Sequence, residues 1–317
     1  MAVAAGQRPE RSGFGIAMIL AATFTMAFQD AVVKVVSSDL PLWQLFALRS
    51  LIAVPLLIVL HRLLRGSLRL IPRALGWSVL RGAFLVLMYV AFYAALPALN
   101  LSLVAAAYYT GPLFIVLFAA ALLGEGIGSR RLFAVAFGFL GVLVILQPGT
   151  DGFSWAMLIP IASAIFYAGA AILTRSKCAE ESPLALSLML NYCFVACGFG
   201  VSAVLWLLPP DAQQQVAYPF LLGPWVALDM GTGGVLLLLA VANVAIHVAL
   251  ARAYQSAPPA VIATFDYGYL AFAAGWAYVL LHEVPGPATL IGMAMIATAG
   301  ILTAWRGSAR SAPMTRK

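Results

Sequence analysis

The sequence predicts an all-α integral membrane protein: ten transmembrane helices arranged as two inverted five-helix repeats, with both termini cytoplasmic. Three observations carry that expectation. The chain holds about ten apolar stretches, most of them near the ~20 residues an α-helix needs to cross a bilayer. Of its 18 Lys and Arg residues, all but Lys34, Arg49 and Arg81 stand before the first stretch, after the last, or in every second connection. The two halves also align with each other, at the shift that carries Tyr109 onto Tyr267.

Composition sets the class. At 63% hydrophobic and 9% charged residues, with a mean hydropathy of +1.00, the chain has too little polar surface for a soluble globule. A net charge of +7 invites a nucleic-acid reading, but the basic residues are confined to loops, where anionic lipid headgroups attract them. No nucleic-acid partner is expected. Met1–Ser12 is polar and the first stretch lacks a small-residue cleavage site, so that stretch is expected to remain as a signal anchor.

The elements follow in order. Arg8 and Arg11 precede the first span, 13–36, and no basic residue lies in the Ser37–Leu42 connection. Pro41 opens the second, 43–64, which leads into Arg62, Arg65, Arg69 and Arg73. The third, 74–96, turns at Leu96–Asn100 into the fourth, 99–123, and Arg130 and Arg131 introduce the fifth, 130–147. Gly149 and Gly152 flank the middle connection before the sixth, 153–174, which ends at Arg175 and Lys177. Pro183 starts the seventh, 184–208. After the longest connection, Leu208–Trp225, the eighth span, 228–252, ends at Arg252. Pro258-Pro259 begins the ninth, 258–281, because proline is tolerated in a first helical turn. The tenth, 287–305, leads to Arg306, Arg310, Arg316 and Lys317. Alternation of basic and non-basic connections is the positive-inside pattern, which puts both termini inside. The expected organisation is a cytoplasmic segment 1–12, a first repeat 13–150, a second repeat 151–306 and a basic tail 307–317.

The repeat rests on particular residues. Ala105, Tyr109, Phe114, Leu122, Leu123 and Glu125 fall on Ala263, Tyr267, Phe272, Leu280, Leu281 and Glu283. Nearer the front of each half, Gly13-Phe14 corresponds to Gly152-Phe153, Pro41-Leu42 to Pro183-Leu184, and Arg49 to Asn191. With an odd number of spans per half, the second half enters the membrane upside down, an architecture of secondary transporters.

The segment from Ala95 to Leu-Leu-Gly-Glu125, the Leu48-Arg49-Ser50 run and the copy ending Leu-Leu-His-Glu283 resemble the EamA family of the drug/metabolite transporter superfamily. The likeness extends roughly from 13 to 305. It implies a ten-helix exporter or permease of small metabolites, often amino acids, in a bacterial-type inner membrane. It also gives Arg49 a structural part, binding carbonyls at the ends of neighbouring helices, against the alternative of a substrate carboxylate. One departure from symmetry is Pro112, whose copy position is Leu270.

Ionisable residues inside a span face a cavity or a partner. Asp30 and Lys34, four apart, share a helix face and are able to pair. Asp30 then reads either as a ligand for a substrate ammonium or a protonatable site, or as half of an internal ion pair. Gln29 beside it reads as helix glue or a further polar contact. Arg81 is expected to snorkel to headgroups. Asn243 and His247 share a face of the eighth span, and His247 can reach the depth of Asp266 in the ninth. Such a couple can carry protons or form a packed network between helices.

Tyr89, Tyr93, Tyr108, Tyr109, Phe166, Tyr167 and Tyr267 are the candidate cavity aromatics. They are suited to an apolar side chain or flat ring. Trp43, Trp77, Trp155 and Trp225 read as interface anchors. Pro55, Pro112 and Pro160 are expected to kink their spans, with Pro112 freeing the Tyr108 carbonyl. Ala134/Gly138 and Gly292/Gly300 offer close-packing surfaces, for the halves or for a dimer. Cys193 and Cys197, four apart, read as buried small residues or a metal half-site.

No cofactor is implied, and the scattered acids and three His give no metal spacing or catalytic constellation. An intramembrane enzyme and a channel are therefore set aside. What remains is a secondary transporter, monomer or homodimer, moving small metabolites with or without protons. Amino acids are the leading substrates, with nucleosides and organic cations as alternatives.

Overall fold

The computed structural model describes residues 12–63, 71–124, 126, 128–150, 153–257 and 259–307. Arg8, Arg11, Arg65, Arg69, Glu125, Gly152, Pro258, Arg310, Arg316 and Lys317 lie outside the described residues. Among the described residues every regular element is helical. The first half contains α1 (Ser12–Val36), α2 (Leu42–Leu63), α3 (Leu75–Ala95), α4 (Leu101–Tyr108), α5 (Gly111–Leu123) and α6 (Ser129–Leu146). A 3₁₀ turn at Trp155–Leu158 leads into α7 (Ile159–Lys177) and α8 (Pro183–Leu207). Two short helices, α9 (Ala212–Ala217) and α10 (Pro219–Leu222), fill the longest connection. The chain continues through α11 (Met230–Ser256), α12 (Pro259–Asp266), α13 (Gly268–Leu281) and α14 (Pro287–Gly307).

Among the described residues, seven segments are long and apolar enough to cross a membrane: α1, α2, α3, α4 with α5, the 3₁₀ turn with α7, α8 and α11. Leu132–Leu146 and Pro287–Leu302 are shorter apolar helices. Large apolar side chains such as Leu122, Phe133 and Trp206 stand exposed on the outer faces. A lipid solvent accounts for them, because helices satisfy their own backbone groups there.

The helices pack in pairs that link the halves. α1 lies on α11 and α3 on α7; α2 lies on α8, and α6 on α14. α1 also meets α12 and α13, while α7 meets α4 and α5. The α6–α14 contact depends on glycine. A Cβ added at Gly292 would stand 2.6 Å from the Gly141 carbonyl oxygen, so any side chain there would force the helices apart. These small-residue surfaces are thus used within the chain. α6 and α14 sit to one side and leave the centre to the other helices.

The fourth and ninth spans are each broken. α4 ends at Tyr108, and the Thr110 hydroxyl folds back onto the Ala107 carbonyl at 2.6 Å. Pro112 stands in the first turn of α5, where a missing N–H costs nothing. The expected interior kink is therefore corrected to a helix start. The ninth span breaks at Tyr267, between α12 and α13, with no proline to force it. At both breaks the residue carried over by the internal repeat is a tyrosine, and the Tyr109 and Tyr267 rings meet edge to face at 5.4 Å.

The α9–α10 segment is tied to α2. Trp43 Nε1 donates to the Leu221 carbonyl at 2.7 Å, and the Gln44 side-chain amide both donates to and accepts from the Val226 backbone. Trp43, half-buried beneath α10, is a packing residue and not the expected interface anchor. Trp155, Trp77 and Trp225 are exposed.

Candidate functional site

Two adjoining cavities occupy the middle of the bundle. The larger, about 510 Å³, is walled by α3, the α4–α5 break, α7, α8, α11 and the end of α12. Tyr89, Tyr108, Tyr109 and Tyr167 face it together with Arg81, His247 and Asp266. Its rim includes Thr174, Cys178 and Glu181, at the connection that follows the basic end of α7. The smaller, about 80 Å³, holds Gln29, Asp30, Asn243 and Tyr269 and shares Tyr89, Tyr108 and His247 with the larger. His247 and Asp266 line the same chamber, as their depths suggested.

Asp30 is buried and holds two phenol hydroxyls. Tyr93 donates to Oδ1 at 3.1 Å and Tyr269 to Oδ2 at 2.6 Å. Gln29 Nε2 reaches the Tyr93 hydroxyl at 3.4 Å. Lys34 does not pair with Asp30, which corrects the i, i+4 expectation. Its ammonium binds the Glu283 carboxylate and the Leu99 carbonyl instead. The reason is tertiary: sharing a helix face brings two side chains near each other, but a carboxylate delivered from another segment is a better partner than one already holding two hydroxyls.

That delivery depends on a helix ending. Glu283 follows His282, which has φ 56° and caps α13 in the left-handed region. The Glu283 N–H bonds the Ala277 carbonyl at 3.0 Å, closing a Schellman turn. Gly124, at the matching place after α5, has φ 68°. The repeated Leu-Leu-x-Glu is thus a helix stop whose variable residue must turn left-handed. At α13 the stop aims Glu283 back across the bundle. Its Oε2 accepts the Leu101 N–H at 2.9 Å, satisfying an orphan donor at the start of α4. One ion pair therefore joins α1, the α3–α4 connection and the end of α13, at the end of the bundle opposite the rim at Glu181.

The two arginines also depart from expectation. Arg49 is 1% exposed, and its guanidinium lies over the rings of Phe194 and Phe46 at 5.2 and 5.8 Å. Its nitrogens reach no helix-end carbonyl among the described residues; the guanidinium lies beside the Tyr93 hydroxyl, and its charge is felt at Asp30. Cation–π contact replaces that role. Arg81 turns into the larger cavity, with Nε donating to Thr174 Oγ1 at 2.6 Å, and does not snorkel outward. A close hydroxyl partner on α7 holds it there.

Of the candidate aromatics, Tyr89, Tyr108, Tyr109 and Tyr167 lie on the cavity walls. Tyr93 stands one layer behind, occupied with Asp30. Phe166 packs against Phe84 at 6.1 Å, off both walls. Tyr267 turns toward α14, where a Cβ at Gly300 would collide with its hydroxyl. Those three are corrected from cavity lining to packing. Tyr269 was not anticipated. It binds Asp30 and stacks on Tyr109 at 4.9 Å, yet its copy position in the first half is Gly111, so the repeat gave no signal for it. The α8 residues Leu186, Ser187 and Leu190 also join the wall unanticipated.

Residues 13–147 match the EamA-like transporter family. A pseudopaline exporter of Pseudomonas aeruginosa is 26% identical over 288 residues, covering 90% of this chain and 94% of that protein. A riboflavin transporter of Rhizobium johnstonii is 30% identical over 67% of this chain and 64% of that protein. A solved crystal structure shares the fold, with a TM-score of 0.60 at 18% identity, over 93% of this chain and 99% of that one.

Proposed function

We propose, from the premise that this chain belongs to the EamA-like transporter family through residues 13–147, that it exports small metabolites by alternating access. Its relatives are transporters of small metabolites and not enzymes, and so is the class of this chain. The finer reading is a bacterial inner-membrane carrier of ten spans, built as two inverted repeats with both termini inside. Amino acids with aromatic or hydrophobic side chains are its leading substrates. The observation that carries it is the 510 Å³ chamber, ringed by tyrosines and bearing His247 and Asp266.

Packing supports the inverted repeat. Exchanging the halves turns the α1–α11 pair into α7–α3 and returns α2–α8 and α6–α14 to themselves. With basic connections inside, the chamber opens toward the cytoplasm, and the Lys34–Glu283 end closes the outer side. Asp30 attracts the substrate's positive group. Asp266 and His247, on the wall of the wet chamber, are placed to exchange protons with the cytoplasm.

A second reading is favoured by the ring-lined chamber and the riboflavin-transporting relative. In it the cargo is a flat-ringed metabolite, such as a flavin or nucleoside, held between tyrosines. Counterflow in proteoliposomes, with a labelled panel of amino acids, nucleosides, flavins and organic cations, separates the two. Accumulation of amino acids alone supports the first reading, and of flat-ringed compounds alone the second. No counterflow of any member removes both. Topology is checked in cells through single cysteines introduced in a cysteine-free background. Those at Gly149 and Gln214 should react from outside, and those at Ser67 and Ser129 should not.

A further inference from the structure

The smaller chamber contains more hydrogen-bonding capacity than the protein uses. Tyr93 spends its hydroxyl proton on Asp30, so it can only accept from Gln29, and this fixes the Gln29 amide with Nε2 toward Tyr93. Gln29 Oε1 is then left buried with no donor among the described residues. Asn243 Oδ1 and His247 Nε2 are buried and unpartnered in the same way. All three residues, with Asp30, line one space of about 80 Å³ whose other walls are mostly apolar. Gln29 and Asn243 are 3% and 9% exposed. Buried acceptors without donors are rare in folded proteins, and two amide oxygens around one carboxylate point to a ligand that donates.

We propose that this chamber is a subsite for a primary ammonium group of the transported molecule, which donates to Asp30, Gln29 Oε1 and Asn243 Oδ1 at once. The inference rests on the transporter reading above and names the chemistry its cargo must carry. A primary ammonium has three N–H donors and no acceptor, which matches the acceptor set. A carboxylate has no donor to give. A quaternary ammonium offers no N–H. The Arg49 guanidinium stays over Phe46 and Phe194 and off the chamber wall, so although its charge acts on Asp30 it occupies none of the space left for the ammonium. The body of the molecule extends past Tyr89 and Tyr108, which border both cavities, into the larger one.

The test uses the full chain in nanodiscs with three probes: phenethylamine, its N,N,N-trimethyl analogue and 3-phenylpropionate, each titrated calorimetrically. Phenethylamine should bind roughly tenfold or more tightly than either analogue, the scale of one lost charge-assisted hydrogen bond. Asn243→Leu should remove about that factor for phenethylamine and leave the trimethyl analogue unchanged. Asn243→Asp, which keeps an acceptor, should bind phenethylamine at least as tightly as the parent and guards against misfolding of the leucine variant. Equal binding of the three probes, no binding of phenethylamine, or phenethylamine binding weakened by Asn243→Asp would overturn the subsite. Counterflow of a flavin or any other non-amine by the same preparation would leave the transporter reading intact while the subsite fails.

Discussion

The two ends of the central cavity each carry a cation, and they use it in opposite ways. At one end Lys34 is held by Glu283 and the Leu99 carbonyl, and Glu283 spends its second oxygen on the Leu101 N–H. At the other, Arg81 donates to Thr174 and faces open space, while nearby Glu181 turns away to accept the Ala74 N–H at 2.6 Å. A cation and a carboxylate stand at both ends, but Lys34 and Glu283 pair with each other while Arg81 and Glu181 each take an uncharged partner. A largely buried ion pair is favourable when the remaining lone pairs and protons are also satisfied, as they are around Glu283. Not joined to each other, Arg81 and Glu181 border the larger cavity. The difference teaches that closure is a matter of hydrogen-bond completeness more than of charge.

The largest effect should come from opening the sealed end. Glu283→Ala leaves Lys34 with the Leu99 carbonyl but no counter-charge and removes the side-chain acceptor of the Leu101 N–H, and should cost on the order of 3 kcal/mol of stability. Thermal unfolding in detergent measures it. Glu283→Gln keeps an acceptor for Leu101 and should lose less. A Glu283→Ala protein as stable as the parent would mean that this end is not held by the pair.

Next come the carboxylates on the cavity walls. Asp30→Asn should weaken exchange at every pH, by roughly tenfold, because it removes the charge that holds two phenol hydroxyls and that, in the proposed subsite, would hold the substrate's cationic group. Asp266→Asn should flatten the pH dependence of uptake and spare equilibrium exchange. Counterflow and gradient-driven uptake, run side by side, separate the two. Proton-driven uptake surviving Asp266→Asn would remove the coupling role.

Smaller effects should sort the aromatic residues. Tyr89→Ala or Tyr167→Ala should shift substrate affinity several-fold, in line with roughly 0.5–1.5 kcal/mol for an aromatic contact beyond its area. Phe166→Ala, off the wall, should act on stability and leave affinity nearly unchanged. Affinities from counterflow competition decide this, and equal affinity losses at Phe166 and Tyr167 would blur the assigned wall.

The smallest effect is expected at Pro112. In the first turn of α5 its replacement by Ala should change stability by less than about 1 kcal/mol. A loss of several kcal/mol, read from the same unfolding curves, would restore the interior-kink reading.

Much of this architecture was legible in the chain. Basic residues and apolar runs gave helix ends within a few residues at α1, α2, α3 and α8, because hydrophobic length and loop charge act locally. The repeated Leu-Leu-x-Glu was visible too, although its meaning as a left-handed helix stop was not. Asp30, Tyr89, Tyr108, Tyr109, Tyr167, Asn243, His247 and Asp266 were singled out as rare polar or aromatic residues inside apolar spans, and all line the cavities.

By itself, then, the sequence determined the helical class, the ends of α1, α2, α3 and α8 to within a few residues, and a small set of residues able to do chemistry in an apolar setting. Each depends on neighbours within a turn or two. The tertiary structure decided who partners whom. Lys34 passes over Asp30, one turn away, for Glu283, 249 positions along the chain. Tyr269, opposite a glycine in the repeat, supplies the closest hydroxyl to Asp30. The ninth span breaks without proline at Tyr267, whose ring meets Tyr109 and the glycine face of α14. In a low-dielectric interior a polar group is governed by whichever complementary group packing brings within hydrogen-bond reach. Spacing along one helix restricts that choice but does not make it.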